Sequence, residues 1–479
     1  MTPGPEHPYW AVAPAEPVRA PRPALLHGRA LAGAAVLLVV AASAVATTSA
    51  GLALAVTSAG VAAVLVAAGL TPQDLGARLL LGCAALLALA PVLRDAAWVV
   101  AFDLLVAFVC AAVALSGDRT AAGVLRGPGF AALRLPEGVA VMAGDVVRAL
   151  PSASGRGVGP ALRGAALAVG LLAVFGTLFA SADRAFAHLA QAALPDAPDV
   201  GGLPVRLLVA TAFAGVLGSL ALTAARLREA GPATGLPAPS RRLAAAEWVP
   251  ALVAVVGLFA AFVAVQIVVL FGGHDHVLAT AGLTYADYAH EGFGQLVVVT
   301  LLVLGLLAAA WRWVRAEGAQ AVLLRGLLLV LCACTLVIVA SALHRLDVYV
   351  EAYGATRLRV QAATLCAFLG GTVLLGAAAV VARRADWVPR AAVLLAAFAA
   401  LTVTLADPDR RIAERNVDRY ERTGNVDVFY LDGLSADAAP ALARLPESER
   451  GPAAELCPAA DGLAGFNVGR AAARRALDC

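Results

Sequence analysis

Long apolar runs alternate with short polar connections from residue 30 to residue 406. Eleven runs are long enough to cross a bilayer: 30–46, 49–70, 75–93, 95–116, 160–181, 203–225, 248–271, 293–314, 322–343, 358–382 and 388–406. About 20 residues rising ~1.5 Å each cover the ~30 Å hydrocarbon layer, and a helix there satisfies its own backbone polar groups. The pattern predicts an all-α fold: a polytopic transmembrane helix bundle of about 11 spans with a small helical C-terminal tail domain.

The polar stretches divide the chain. Residues 1–28 hold seven prolines and no apolar periodicity, which predicts a disordered extension. A first transmembrane block of four helices covers 29–116. A Gly- and Arg-rich linker, 117–159, follows. Behind Pro136-Glu137, the side chains Val139, Met142, Ala143, Val146 and Leu150 share one helical face. That face suits either a helix lying along the membrane surface or one packed on the bundle. A second block of seven helices covers 160–406, and 407–479 is a polar helical tail. Ala44-Val45-Ala46 has the form of a leader cleavage site, but the segment before it is long and proline-rich and more spans follow. An uncleaved first helix is expected.

In the tail, Asp407-Pro408 reads as an N-cap with Pro at N1, and Gly424 as a C-terminal stop. Ile412, Val417 and Tyr420 form the apolar stripe between them. Ser435 is placed to cap a second helix ending at Leu445-Pro446, and 468–477 predicts a last one.

Composition agrees with a membrane solvent: 61% of residues are hydrophobic and 14% charged, with a mean hydropathy of +0.82. The lipid bilayer is the expected partner, with another membrane protein as a second; no basic patch points to nucleic acid. Every basic residue is Arg. With the N-terminus in the cytoplasm, the N-terminal segment and the cytoplasmic connections hold twenty arginines and the opposite connections six (Arg94, Arg184, Arg206, Arg345, Arg357, Arg359). This bias predicts a multi-pass protein of the plasma membrane, N-terminus cytoplasmic and tail extracytoplasmic. Cys83, Cys110, Cys332, Cys334 and Cys366 lie within spans and read as packing residues. Cys457 and Cys479, in the tail, are free to pair in an oxidising compartment.

Ionisable groups inside the membrane are the first functional candidates. Asp103 lies eight residues past Asp95, about 12 Å further along a helix, in an otherwise apolar span. It is either a proton or cation site or a carboxylate bonded to a neighbouring helix. Gln266 reads as an interhelical hydrogen-bonding group. The connection 272–292 carries His274, Asp275, His276, Tyr285, Asp287, Tyr288, His290 and Glu291. Such residue types bind divalent metals or sense pH, yet no fixed ligand spacing accompanies them, and neither metal nor cofactor is expected. In 344–359, Asp347 and Glu351 are four apart, as are Tyr349 and Tyr353. Arg345, Arg357 and Arg359 lie within reach, so the segment reads as a surface ion-pair network or a ligand site.

Several ordered stretches resemble an uncharacterised bacterial membrane family, a domain of unknown function (the four-one-five-three and four-one-seven-three groups). They are 179–187, 282–289 with Gly292-Phe293, 345–359 around Tyr353-Gly354, Arg415-Asn416, Tyr420, 430–442 and 467–470. The resemblance covers roughly 160–479. His274 and His276 fall outside its pattern, and His290 stands where Arg is expected. The resemblance implies a polytopic integral membrane protein and supplies no catalytic residue.

Two classes of function follow. A non-enzymatic membrane component would use the tail with the 272–292 and 344–359 segments as one outer-face platform. A proton- or cation-coupled transporter would use Asp103. An enzyme acting on lipid-linked substrates would need a paired acid and base, for which Asp287/Glu291 and Asp347/Glu351 are the candidates.

Overall fold

The computed structural model describes residues 34, 51–68, 74–117, 121–149, 203–229, 242–271, 293–450, 457, 458, 460 and 462–479. These residues are almost wholly helical. No strand forms among them; Leu243 and Val314 make an isolated bridge. The helices are α1 (Leu52–Ala67), α2 (Leu75–Leu87), α3 (Ala90–Leu93), α4 (Ala97–Ser116), α5 (Ala121–Leu133), α6 (Leu135–Ala149), α7 (Leu203–Glu229) and α8 (Ala245–Phe271), then α9 (Phe293–Trp313), α10 (Gly318–Tyr353), α11 (Arg357–Ala382) and α12 (Val388–Ala406). The tail adds α13 (Pro408–Thr423), α14 (Val428–Asp432), α15 (Ala439–Leu442) and α16 (Val468–Ala476).

Six helical segments are long and apolar enough to cross a membrane: Leu75–Leu93, Ala97–Ser116, Ala245–Ala264, Gly318–Tyr353, Arg357–Ala382 and Val388–Ala406. Leu52–Ala67, Thr211–Leu227 and Val297–Trp313 are shorter apolar helices. Nine of the eleven expected spans therefore have a helical counterpart. The other two, 30–46 (Ala34 apart) and 160–181, lie outside the described residues, as do 1–28 and the connection 272–292. The full count of eleven is not established by these helices.

Large apolar side chains line the outside of the bundle. Leu258, Leu302, Phe398 and Leu405 are each more than 65% exposed. In water such a surface would associate; against lipid it is matched to its solvent. Inside, α2, α4, α7 and α12 share one core around Leu80, Leu115, Leu217 and Ala397. A second core joins α8 to α11 around Trp248, Leu331 and Val373. The last span thus packs against the first block, and the chain closes on itself.

Within 117–159, the described residues 121–149 are helical and packed on the bundle. α6 crosses α7 at backbone contact: a Cβ on Gly138 would collide with the Gly215 carbonyl, and one on Gly218 with the Gly138 carbonyl. Small residues permit this approach. Met142 is buried, and Glu137 pairs with Arg134 and Arg226.

The described helix ends sort into two groups. Gly51-Leu52, Arg94 to Ala96, Gly354 to Arg357 and the tail meet at one end. At the other, Asp74 holds Arg390 at 2.9 Å, and Leu243 N–H donates to the Trp313 carbonyl at 3.0 Å. Alternating crossings produce this grouping.

Candidate functional site

The tail is a small domain with its own core, Ala413, Val417, Leu431, Leu442 and Leu445. Ile412 and Val417 are fully buried, as the stripe on α13 requires. Gly424 ends α13 in the left-handed conformation. Cys457 and Cys479 form a disulfide that ties the segment before α16 to the C-terminus. Cys83, Cys110, Cys332, Cys334 and Cys366 are free thiols within the spans.

Two tail expectations change in detail. Asp407 occupies the N-cap position of α13 but makes no capping bond. Its carboxylate instead accepts from Arg94 Nη1 at 2.7 Å. Ser435 opens a short 3-10 turn, Ala436–Ala438, leading into α15 rather than one continuous helix. Its hydroxyl donates to Asp437 at 3.1 Å instead of capping.

Three carboxylates fasten this domain to the bundle. Asp409, fully buried, accepts a bidentate pair of bonds from Arg357 at 2.9 and 2.5 Å, one from Trp98 Nε1 at 3.1 Å and one from the Ser435 amide at 2.9 Å. Burial pushes its carboxyl up, but the Arg357 fork and the Ser435 amide outweigh that and hold it below the usual carboxylate range. Asp437 accepts from the Asp95 and Ala96 amides at 2.8 and 3.0 Å, at the start of α4. Asp95 in turn accepts from the Ala436 amide at 3.1 Å and from Arg470 Nη1 at 2.5 Å. Each carboxylate therefore caps the start of the other's helical turn, across more than 340 residues of sequence. The second oxygen of Asp437 is buried without a hydrogen-bond partner. Burial, and then the nearby Asp407 charge, raise its carboxyl to about 6.

Further bonds close the seam. Asn467 Nδ2 donates to the Pro91 carbonyl at 2.8 Å, Leu52 N–H to the Phe466 carbonyl at 3.0 Å, and Arg470 Nη2 to the Gly465 carbonyl at 2.6 Å. Asn416 Nδ2 reaches the Ala355 carbonyl at 2.9 Å, and Tyr430 Oη accepts from the Arg357 amide at 2.7 Å. A Cβ on Gly469 would overlap the Asp437 carboxylate, so the start of α16 can lie there only as glycine.

Arg94 connects this seam to the membrane interior. Its guanidinium caps the end of α12, donating to the Thr404 and Leu405 carbonyls at 2.6 and 3.3 Å. The Thr404 hydroxyl donates to Asp103. Asp103 is fully buried, and its other oxygen has no hydrogen-bond partner. A chain of polar groups thus runs from Asp103 through Thr404 and Arg94 to Asp407. Gln266 lies on α8; its side chain falls outside the described residues.

The structure regroups the 344–359 side chains. α10 runs unbroken to Tyr353, so His344 to Tyr353 is helix, and α11 begins at Arg357 after the Gly354 turn. Tyr349 and Tyr353 stack with centroids 4.7 Å apart, and Arg359 lies 4.2 Å from the Tyr349 ring centroid. The expected ion pairs inside the segment are not the ones formed. Arg357 turns to Asp409, Arg359 donates to the Gly354 carbonyl, and Asp347 meets Arg415 of α13 at 3.8 Å. Glu351 is exposed and Arg345 half-buried. A cleft of about 570 Å³ opens here between α10, α11, α12 and α13, with His344, Asp347, Arg359, Arg411 and Arg415 among its lining. His274, Asp275, His276, Tyr285, Asp287 and Tyr288 lie outside the described residues.

Sequence reasoning singled out Arg357 but not its partner Asp409, nor the Asp95–Asp437–Arg470 group. A weak signal existed: the tail stretches that carry the family resemblance, Asn416, 430–442 and 467–470, meet the bundle at this seam. No curated protein and no solved structure matches this chain. Residues 81–445, which include α4 to α15 and the greater part of the seam, match the family described as a domain of unknown function, DUF4153, and the chain belongs to that family.

Proposed function

We propose that this protein is a non-enzymatic component of a bacterial plasma membrane, whose tail and the adjoining ends of α10 and α11 form one extracytoplasmic platform for another membrane protein. The observation that carries this reading is the clamp. Asp409, Asp437 and Asp95 fix the tail to the starts of two separate helices, α11 and α4. A rigid surface loses little entropy when it engages a partner. Phe429, on α14 of that surface, is 91% exposed, a large apolar group offered outward. The Asp347/Glu351 pair gives an acid–base site little support: Asp347 is engaged by Arg415, and both carboxylates lie on the exposed side of α10.

A second reading, a proton- or cation-coupled transporter, rests on Asp103 and the polar chain leading from it to Asp407. Proteoliposomes under an imposed pH gradient separate the two. The platform reading expects proton leak equal to that of empty vesicles, in wild type and Asp103→Asn alike. A flux that disappears in Asp103→Asn would transfer the assignment to the transporter. Photocrosslinking from position 429 in intact cells then tests the platform directly. One discrete protein adduct that is lost in Asp409→Ala is expected; crosslinks to lipid alone would remove the reading.

A further inference from the structure

The end of the bundle away from the tail carries a different arrangement of charge. Arg242, Arg312, Arg315, Arg325 and Arg383 line one cleft of about 900 Å³, with Glu317 as its carboxylate. They arrive from five places: ahead of α8, the last turn of α9, the α9–α10 connection, the first turns of α10 and the C-cap of α11. The bond from Leu243 N–H to the Trp313 carbonyl stitches the segment bearing Arg242 to the end of α9, which brings these guanidinium groups together. Among the described residues, Arg242, Arg315, Arg325 and Arg383 make no ion pair. A topological bias toward arginine on one side of a membrane accounts for their side, not for their convergence.

The rest of the lining is apolar. Leu324 and Leu328 of α10, Val380 of α11 and Ala308 of α9 continue from the arginines toward the membrane-spanning part of the helices, and Trp311 stands at the rim, 40% exposed. A cationic head over an apolar wall matches an anionic amphiphile. A guanidinium fork binds phosphate oxygens in pairs, an indole sits at headgroup depth, and the apolar helix faces take hydrocarbon chains. A soluble anion would use the arginines and leave the wall uncovered.

We propose that this cleft binds one anionic phospholipid, its phosphate on the arginines and its acyl chains along α10 and α11. The site lies at the opposite end of α10 from the tail seam, about 50 Å away, and is independent of the platform reading.

The test uses the purified full chain, with phosphatidylglycerol and phosphatidylcholine as probes and retained lipid counted by native mass spectrometry. Wild type is expected to hold phosphatidylglycerol in preference to phosphatidylcholine. Arg315→Gln/Arg325→Gln/Arg383→Gln is expected to weaken phosphatidylglycerol about a hundredfold, as the loss of three arginine contacts implies. Arg411→Gln/Arg415→Gln, at the tail end, is expected to leave it unchanged. Should the triple variant not elute as a single species, Arg325→Gln and Arg383→Gln alone are each expected to weaken the lipid about fivefold. Unchanged retention in the variants, equal retention of the two lipids by wild type, or displacement of phosphatidylglycerol by inorganic phosphate would overturn the proposal. The last result would mean a soluble-anion site instead.

Discussion

The two ends of this bundle use arginine in opposite ways. At the tail end, Arg94, Arg357 and Arg470 each meet a carboxylate that is buried or half-buried, and the partners of Arg357 and Arg470, Asp409 and Asp95, are themselves held by further hydrogen bonds. At the far end, four arginines of the α9–α10 cleft have no carboxylate partner among the described residues. A buried, saturated pair is structural: removing one member strands the other. An unmatched cationic cleft costs little to keep in water and gains by taking an anion. The contrast assigns architecture to the first group and binding to the second.

The largest expected effect is at the seam. Asp409→Ala removes four hydrogen bonds and leaves Arg357 with no counter-charge, and should cost about 4 kcal/mol of tail docking. The tail should then become a substrate for trypsin in detergent while the bundle resists. Next is Asp437→Asn. Burial raises the folded Asp437 carboxyl to about 6, against 3.8 for the free group. The folded protein therefore binds that proton more tightly. The stability this adds is present below the unfolded value and lost as the pH rises through about 6. Raised values at Asp407 act in the same direction, and the lowered value at Asp409 acts in the opposite one, at lower pH. The neutral amide keeps an oxygen for the Asp95 and Ala96 amides. Asp437→Asn should strengthen docking at pH 8 by on the order of 3 kcal/mol and flatten its dependence between about pH 4 and 6, read as the midpoint of thermal tail release.

Gly469→Ala places a methyl against the Asp437 carboxylate and should weaken docking by about 2 kcal/mol, less if the carboxylate swings aside. A denaturant titration of tail fluorescence after labelling in the tail would measure it. The smallest effect belongs to Arg444→Ala. Its bonds to Asp418 and Glu421, 2.8 and 2.7 Å long, lie on the exposed tail surface. Its loss should change stability by less than about 0.5 kcal/mol by the same titration. If Arg444→Ala proved as costly as Asp409→Ala, burial would not be what separates the two kinds of pair.

How much of this was legible in the chain depends on the range of the interaction. The helices at 75–93, 97–116 and 318–406 follow from apolar length, a local property. So do the α13 stripe and the stop at Gly424. Asp103 stood out because an isolated carboxylate in an apolar run is visible without a structure. The seam was not legible. Asp95 and Asp409 look like ordinary charges at span ends. Their partners Arg470, Asp437 and Arg357 are 375, 342 and 52 residues away, and no local period encodes such pairings. The ion pairs first expected within 344–359 failed for a related reason. Helical spacing places side chains on a shared face, but a tail folding back over that face supplies stronger partners from outside it.

Hydrogen exchange at four amides tests the clamp most directly: Asp95 and Ala96 on the bundle, Ser435 and Ala436 on the tail. All four donate to the carboxylates of the opposing side or of α13. The account predicts that all four exchange slowly in the intact protein and that Asp409→Ala releases the four together. Fast exchange at Ser435 and Ala436 in wild type, beside slow exchange within α4, would contradict it and leave the tail a free appendage.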